Sequence, residues 1–139
     1  MSRKPWAEVP AAELQAEVYS RNGAFQRMLA FLAMAPLPAF VKDRGGRVLH
    51  MNLRAELLWH LTLDEVRGRT LTEILHLDFA DQRVVERQDR LVIAGTDARV
   101  YLETVGAEDQ LRRYSVLKFP VKDEDGEVLL VVFVLPHNP

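Results

Sequence analysis

The sequence has 139 residues, of which 48% are hydrophobic and 27% are charged, a composition typical of one domain that buries its own core. The formal net charge of −2 at pH 7 gives no general attraction to nucleic acid or to an anionic membrane surface. The chain contains no cysteine, which excludes disulfides, thiolate metal sites and thiol nucleophiles.

The N-terminal part of the chain is predicted to be a flexible leader, residues 1–10, followed by a helix over residues 11–36. Apolar residues recur in this helix at steps of three and four, with Arg21 as the one polar interruption. They form a heptad-like seam: Leu14, Val18, Phe25, Met28, Leu32 and Ala35. The seam fits either a helix that covers the sheet of its own domain or a helix that pairs with its twin in a homodimer. Gly23 is the point at which the helix is expected to bend or break.

A tight hairpin is predicted next. Its strands cover residues 40–42 and 47–51, on either side of an Asp-Arg-Gly-Gly turn that begins at Asp43. Asn52 comes directly after the second strand, where its side chain can cap a helix that runs to about His60.

Three further helices are predicted in the middle of the chain, each opened by a polar residue. Two of them begin with a threonine followed three residues later by glutamate, the capping-box pattern, at Thr62 and at Thr70. Asp78 is expected to cap the longest helix, which runs from Phe79 to Ala94 and is stopped by Gly95.

Three strands complete the chain, at residues 99–105, 111–121 and 127–135. The last consists almost entirely of Val, Leu and Phe, so we expect both of its faces to be covered, one by the core and one by the N-terminal helix or a partner chain. The apolar run of residues 128–136 is far too short to cross a bilayer as a helix. The predicted fold is α+β, a five-stranded antiparallel sheet with short helices on one face and an N-terminal helix.

Three groups of residues stand in an order known from a protein family. Asp43 and Gly46 lie in the first turn, with Asn52 after it. Residues 65–68, Glu-Val-Arg-Gly, end the second short helix, and residues 120–126 follow the pattern Pro-x-x-Asp-x-x-Gly in the last hairpin. With this order and spacing the chain resembles a PAS domain, the sensor module of bacterial signalling proteins.

The resemblance covers most of the chain. It implies a division into a leader (1–10), an N-terminal helix (11–36), a PAS domain (37–135) and a tail (136–139). One departure is His60, at a turn where the family often has glycine. Histidine tolerates a left-handed backbone better than most residues do, so the departure is small.

The resemblance implies a cytoplasmic, non-enzymatic module of signal transduction, as in a two-component system. It would bind a small ligand or a partner and relay this event through its flanking helices. A homodimer through the N-terminal helix is expected, with no nucleic-acid or membrane partner. Two alternatives stay open. One is a structural dimerisation module without a ligand. The other is a small enzyme on a curved sheet of the ketosteroid-isomerase kind, which would need a buried Asp or His of shifted pKa.

No cofactor and no metal are predicted. PAS domains that carry a photoactive flavin or coumaric acid need a cysteine, and the chain has none. Haem-binding members usually supply an axial histidine from the long helix, which contains no histidine; His76 lies just before it. The four histidines lack the spacing of a metal site.

A ligand pocket is predicted between the long helix and the sheet. Apolar residues of the helix form a stripe with Gln88 at its centre, while its charged residues between Arg83 and Arg90 are expected to face solvent. Gln88 must find a hydrogen bond, either to a strand carbonyl or buried water, or to a ligand. The predicted pocket residues are Phe40, Leu58, Val84, Val85, Gln88, Leu91, Val92 and Tyr114.

Overall fold

The computed structural model describes residues 4–75, 79–95, 97–105 and 112–136. The strands are β1 (Ala39–Lys42), β2 (Val48–Met51), β3 (Arg99–Val105), β4 (Arg112–Lys122) and β5 (Val128–Val134). The helices are α1 (Leu14–Ser20), α2 (Ala24–Met34), α3 (Leu53–Trp59), α4 (Leu63–Val66), α5 (Leu71–Leu75) and α6 (Phe79–Ala94). Two 3₁₀ turns, Trp6–Glu8 and Ala11–Glu13, precede α1.

The five strands form one antiparallel sheet in the order β2-β1-β5-β4-β3. The last strand therefore lies at the centre, between the first strand and the fourth. This arrangement confirms the predicted α+β fold with a five-stranded antiparallel sheet. The predicted cap of α6, Asp78, lies outside the described residues.

Local sequence signals set the ends of the short helices as predicted. The side chain of Asn52 accepts a hydrogen bond from the backbone N–H of Ala55 at 3.0 Å and so caps α3. His60 ends that helix in the left-handed conformation, with φ of 55°. Thr62 and Glu65 form a complete capping box at α4.

β5 divides the core into two clusters because its side chains alternate between the faces of the sheet. Leu129, Val131 and Phe133 belong to the outer cluster, which the N-terminal helices cover. Leu130 and Val132 belong to the inner cluster, on the side of the sheet that carries α3 and α6. Both faces of β5 are thus covered, as its composition predicts.

The predicted leader is docked on the domain from Lys4 onward, so its description as flexible was wrong for residues 4–10. The Trp6 side chain is completely buried, and its indole Nε1 donates to Asp123 Oδ2 at 3.1 Å. Arg47 donates to the backbone carbonyls of Trp6 and Val9 at 2.6 and 2.9 Å. These bonds connect the start of the chain to both hairpins, a long-range partnership that local composition cannot reveal.

The predicted seam lies against the chain's own sheet. Its members Leu14, Val18, Phe25 and Leu32 are buried in the outer cluster, and Met28 is half-buried beside them. The helix breaks near Gly23 as predicted, between α1 and α2. The seam is therefore used within the chain, and the homodimer stays a prediction.

Arg21 is buried at the junction of the two N-terminal helices and explains the polar interruption of the seam. Its guanidinium carbon lies 3.7 Å from the centroid of the Trp6 ring, and Nη1 donates to Asp123 Oδ2 at 3.2 Å. Its remaining groups donate to the Glu17 carboxylate and to the Lys4 carbonyl. Each nitrogen of the Arg21 guanidinium thus donates a hydrogen bond, and the residue anchors the two N-terminal helices.

Gly68 allows α1 to approach the domain closely, and we expect Gly68→Ala to be more damaging than Gly126→Ala. Both glycines have a positive φ, 85° and 81°, so each alanine incurs a backbone cost of roughly 1–2 kcal/mol. At Gly68 the new Cβ would also lie 3.1 Å from Ala11 Cβ and from Leu14 Cδ1, whereas at Gly126 nothing lies within 4 Å. In thermal melts the melting temperature of Gly68→Ala should be lower than that of Gly126→Ala, because only Gly68→Ala has to displace α1. Equal melting temperatures would contradict the close docking.

Candidate ligand site

Three charged side chains meet in the interior between the sheet and α6. Asp89 of α6 accepts hydrogen bonds from Lys42 Nζ through Oδ2 and from Lys118 Nζ through Oδ1, each at 2.7 Å. The lysine side chains are 1% and 0% exposed and that of Asp89 is 9% exposed. We call these three residues the buried charge triad.

The sheet register brings the two lysines to the same face. Lys42 of β1 lies opposite Leu130 of β5, and Lys118 of β4 lies opposite Val132. Leu130 and Val132 both face the inner cluster, so the lysines stand on that face too. Because β5 separates β1 from β4, their backbones are about 10 Å apart, and only long side chains can share one carboxylate.

Asp89 is held in its ionised form. Burial alone would raise the pKa of this carboxyl, but the ammonium charges of Lys42 and Lys118 and the hydrogen bonds that they donate more than offset burial and lower it. A carboxylate that accepts from two buried ammonium groups uses both of its oxygens. The group is therefore a fixed electrostatic junction between α6, β1 and β4.

An aromatic wall borders the triad. The centroid of the Phe40 ring lies 5.7 Å from Lys42 Nζ and 4.8 Å from the centroid of the Trp59 ring. Trp59 is 1% exposed, yet its indole Nε1 has no hydrogen-bond partner among the described residues. The buried Gln88 Oε1 likewise has none there. Buried polar atoms without a partner are rare and call for an explanation.

The structure places four of the eight predicted pocket residues in or against the inner cluster. Phe40 and Val92 are buried in the inner cluster, and Leu58 and Tyr114 pack against it. Gln88 and Val85 are half-buried, which leaves the role of Gln88 a prediction.

Val84 and Leu91 were wrongly placed in the pocket, since each is 52% exposed. The inward stripe of α6 is centred on Asp89 and Val92, so Val84 and Leu91 lie on the flank of that stripe. The helical period alone does not fix the phase, because contact with the sheet decides which part of a broad apolar stripe turns inward.

Asp89 is the functional candidate that sequence reasoning missed. It stands among charged residues of α6 that were interpreted as a solvated face, whereas its carboxylate is buried. A signal was available on the strands. Lys42 is two residues from Phe40 and shares its strand face, so a lysine there required a buried partner.

Two other titratable groups have shifted pKa values. Burial, helped by the positive charge of Arg67, lowers the pKa of His50 to about 4. Burial also raises the pKa of Glu127, although the backbone N–H of Trp6 hydrogen-bonds to it.

No group of three or more potential metal ligands occurs in the described part of the chain. Within those same residues, no helix is both long and apolar enough to cross a membrane.

Comparison with known families decides the identity of this architecture. The sequence profile of the PAS fold matches residues 32–136. The chain belongs to the PAS-fold family. The match begins near the end of α2 and extends just beyond β5, so it includes the whole sheet and the triad. A comparison with curated protein sequences finds no match.

Solved structures share the fold at low sequence identity. The PAS domain of Bordetella pertussis BvgS superposes with a TM-score of 0.68 at 22% identity, over 85% of this chain and 89% of that one. The PAS domain of an HTR-like protein from Haloarcula marismortui gives a TM-score of 0.64 at 20% identity, over 79% and 94%. The phage VqmA–DPO complex gives 0.65 at 19% identity, over 87% of this chain and 55% of that one.

Proposed function

We propose that this PAS domain is the sensory module of a signal-transduction protein, in which a small ligand binds on the inner face of the sheet. The observation that carries the proposal is the division of β5 between two clusters. Leu130 and Val132 face the triad, while Leu129 and Val131, in the same strand, contact the layer of N-terminal helices. A ligand that shifts the strand on one side must therefore disturb the helices on the other, since packed interiors transmit strain.

The triad supports a binding role over a catalytic one. A general acid or base works best with a pKa near the operating pH. The pKa of Asp89 is instead lowered, and both of its oxygens are engaged by lysines. An enzyme of the ketosteroid-isomerase kind would need the opposite shift. The phage VqmA structure named above, which shares this fold, is a complex with DPO.

Native mass spectrometry of freshly purified protein tests the proposal directly. We expect one low-mass species per chain to stay bound and to be released when the same sample is denatured. The denatured sample is the control, because a covalent modification would stay on the chain. A spectrum that shows only the bare chain would contradict ligand sensing.

A second candidate is a structural dimerisation module without a ligand. It is favoured by the filled inner face, where Phe40 and Trp59 are almost completely buried, and by an exposed apolar face on α2. There Phe31 and Met34 are 63% and 87% exposed and line a surface pocket of about 350 Å³.

The same native spectra distinguish this candidate. It predicts a dimer mass without a bound species and a monomer after Phe31→Ser and Met34→Ser are combined. Leu57→Ser, on another exposed side chain, is the matched control and should leave the dimer intact. A dimer that persists in the double variant would place the interface elsewhere.

A further inference from the structure

Lys42 keeps donor capacity that the described part of the chain does not use. Its ammonium group has three N–H donors and no acceptor. In that part of the chain Nζ makes one hydrogen bond, to Asp89, although its side chain is 1% exposed. A buried ammonium with unused donors is costly, because a charged group taken out of water must recover its hydrogen bonds inside. The natural complement is an oxygen acceptor that carries negative charge.

The unsatisfied Trp59 indole N–H is of the same kind. An indole N–H can only donate, so it too requires an acceptor. The Phe40 ring lies near both groups, 4.8 Å from the Trp59 ring and 5.7 Å from Lys42 Nζ. Both donors would be satisfied by hydrogen-bond acceptors, and the ammonium charge of Lys42 favours an acceptor that is negatively charged.

A surface pocket of about 420 Å³ opens beside the triad. It is lined by Arg44, Arg90, Ile93, Ala94 and Val128. Ile93 lies one helical turn beyond Asp89, about 6 Å along α6. Val128 lies two residues from Leu130, the partner of Lys42, about 7 Å along β5. The pocket lining is therefore displaced from the triad by one helical turn along α6 and by two residues along β5.

Two arginines give this pocket a positive potential. Arg44 and Arg90 are both exposed, and neither forms an ion pair with the residues that the structure describes. Guanidinium groups suit oxyanions, because their N–H donors form a fork that matches two oxygens of a carboxylate or phosphate group. Positive charge at the entrance and Lys42 behind it favour the same kind of ligand.

We propose that the pocket between Arg44 and Arg90 admits a small oxyanion, a carboxylate or phosphate group, which accepts a hydrogen bond from Lys42. The inference rests on the proposed sensory function and names the ligand class of that site. Lys42 keeps its bond to Asp89, so the oxyanion adds to the triad and does not replace Asp89. The added negative charge lies beside the Lys42 ammonium group. It acts at the junction of β1, β4 and α6.

The two indole N–H groups of the full chain provide a direct test by NMR. Only Trp6 and Trp59 contribute signals of this kind, and Trp6 Nε1 is already bonded to Asp123. Acetate, succinate and inorganic phosphate are titrated, with sodium chloride of equal ionic strength and neutral succinamide as controls. We expect a saturable shift of the Trp59 signal with an oxyanion and a constant Trp6 signal. The relative sizes of the shifts with acetate, succinate and phosphate show whether the site prefers a carboxylate or a phosphate group.

Variants assign the response to named groups. Lys42→Met should weaken binding at least tenfold, whereas Lys122→Met, on an exposed lysine, should leave it unchanged. Combined Arg44→Gln and Arg90→Gln, both on exposed side chains, should weaken it severalfold without affecting the fold, while Arg54→Gln should not.

Two results would overturn the inference: no saturable response to any of the three oxyanions, or binding that keeps its affinity in both Lys42→Met and the double arginine variant. Native mass spectrometry separates this failure from that of the sensory proposal. If the bound species in those spectra is neutral, the sensory proposal stands and the oxyanion inference is wrong.

Discussion

Asp89→Asn should lower the stability of the domain by about 3–5 kcal/mol, the usual cost of removing one partner from a buried ion pair. The asparagine amide replaces one acceptor oxygen by a donor, which would then face an ammonium group. Lys42 and Lys118 would be left with their charges buried beside a neutral side chain. The melting temperature should fall by roughly 10 °C or more for a domain of this size. Thermal or urea denaturation measures the change.

Asp97→Asn, on an exposed aspartate, is the matched control and should melt like the parent protein. The combined replacement of Lys42 and Lys118 by Met and of Asp89 by Leu should recover most of the loss, because an apolar group of similar volume avoids burying charge. Equal melting of Asp89→Asn and Asp97→Asn would show that the triad contributes nothing.

The Asp89 carboxylate also makes the stability of the domain depend on pH in the acidic range. Its folded-state pKa is lowered, so its contribution is complete above the unfolded value of about 3.9 and is lost as pH falls through the lower folded-state value. Asp89→Asn should remove this part of the acid dependence. Urea denaturation at a series of pH values below about 4 compares the two proteins.

Arg21→Met should detach the N-terminal segment and cost roughly 3 kcal/mol, since it leaves the Asp123 carboxylate buried without its ionic partner. The Asp123 side chain is 0% exposed, and the guanidinium also lies over Trp6 and holds the Lys4 carbonyl. Limited proteolysis should cut the released segment before α1, and the fluorescence of Trp6 should shift towards that of an indole in water.

Arg27→Met, on an exposed arginine of α2, is the control for loss of charge. Arg21→Lys should restore only part of the stability, because an ammonium cannot reproduce the forked contacts of the guanidinium. An Arg21→Met variant as resistant to protease as the parent would mean that apolar packing alone secures the segment.

The fold was predictable because its signals are local. Asn52 caps α3 three residues away, and His60 takes the left-handed turn that ends the same helix. The uninterrupted apolar sequence of β5 shows that both sides of the sheet must be covered. Each of these features lies within a few residues of the structure that it produces.

The site was only partly predictable because its contacts are distant. Asp89 lies 47 residues from Lys42 and 29 from Lys118, so no window along the chain contains the triad. Trp6 was misjudged and the partner of Arg21 was missed for the same reason, because Asp123 is 117 and 102 residues away from them. A charged residue looks solvated until the strand or turn that neutralises it is known.

The bonds between the first residues and the last hairpin also set the order of folding. The ribosome releases Trp6 and α1 long before residues 123–134 exist, so the N-terminal helices have no surface to dock on while most of the chain is made. Phe25, Leu29 and Leu32 must wait for β5. Contacts of such sequence separation slow folding, because a long loop must close before they form. We therefore expect docking of the N-terminal segment to be the last and slowest step, after the central strand is in place.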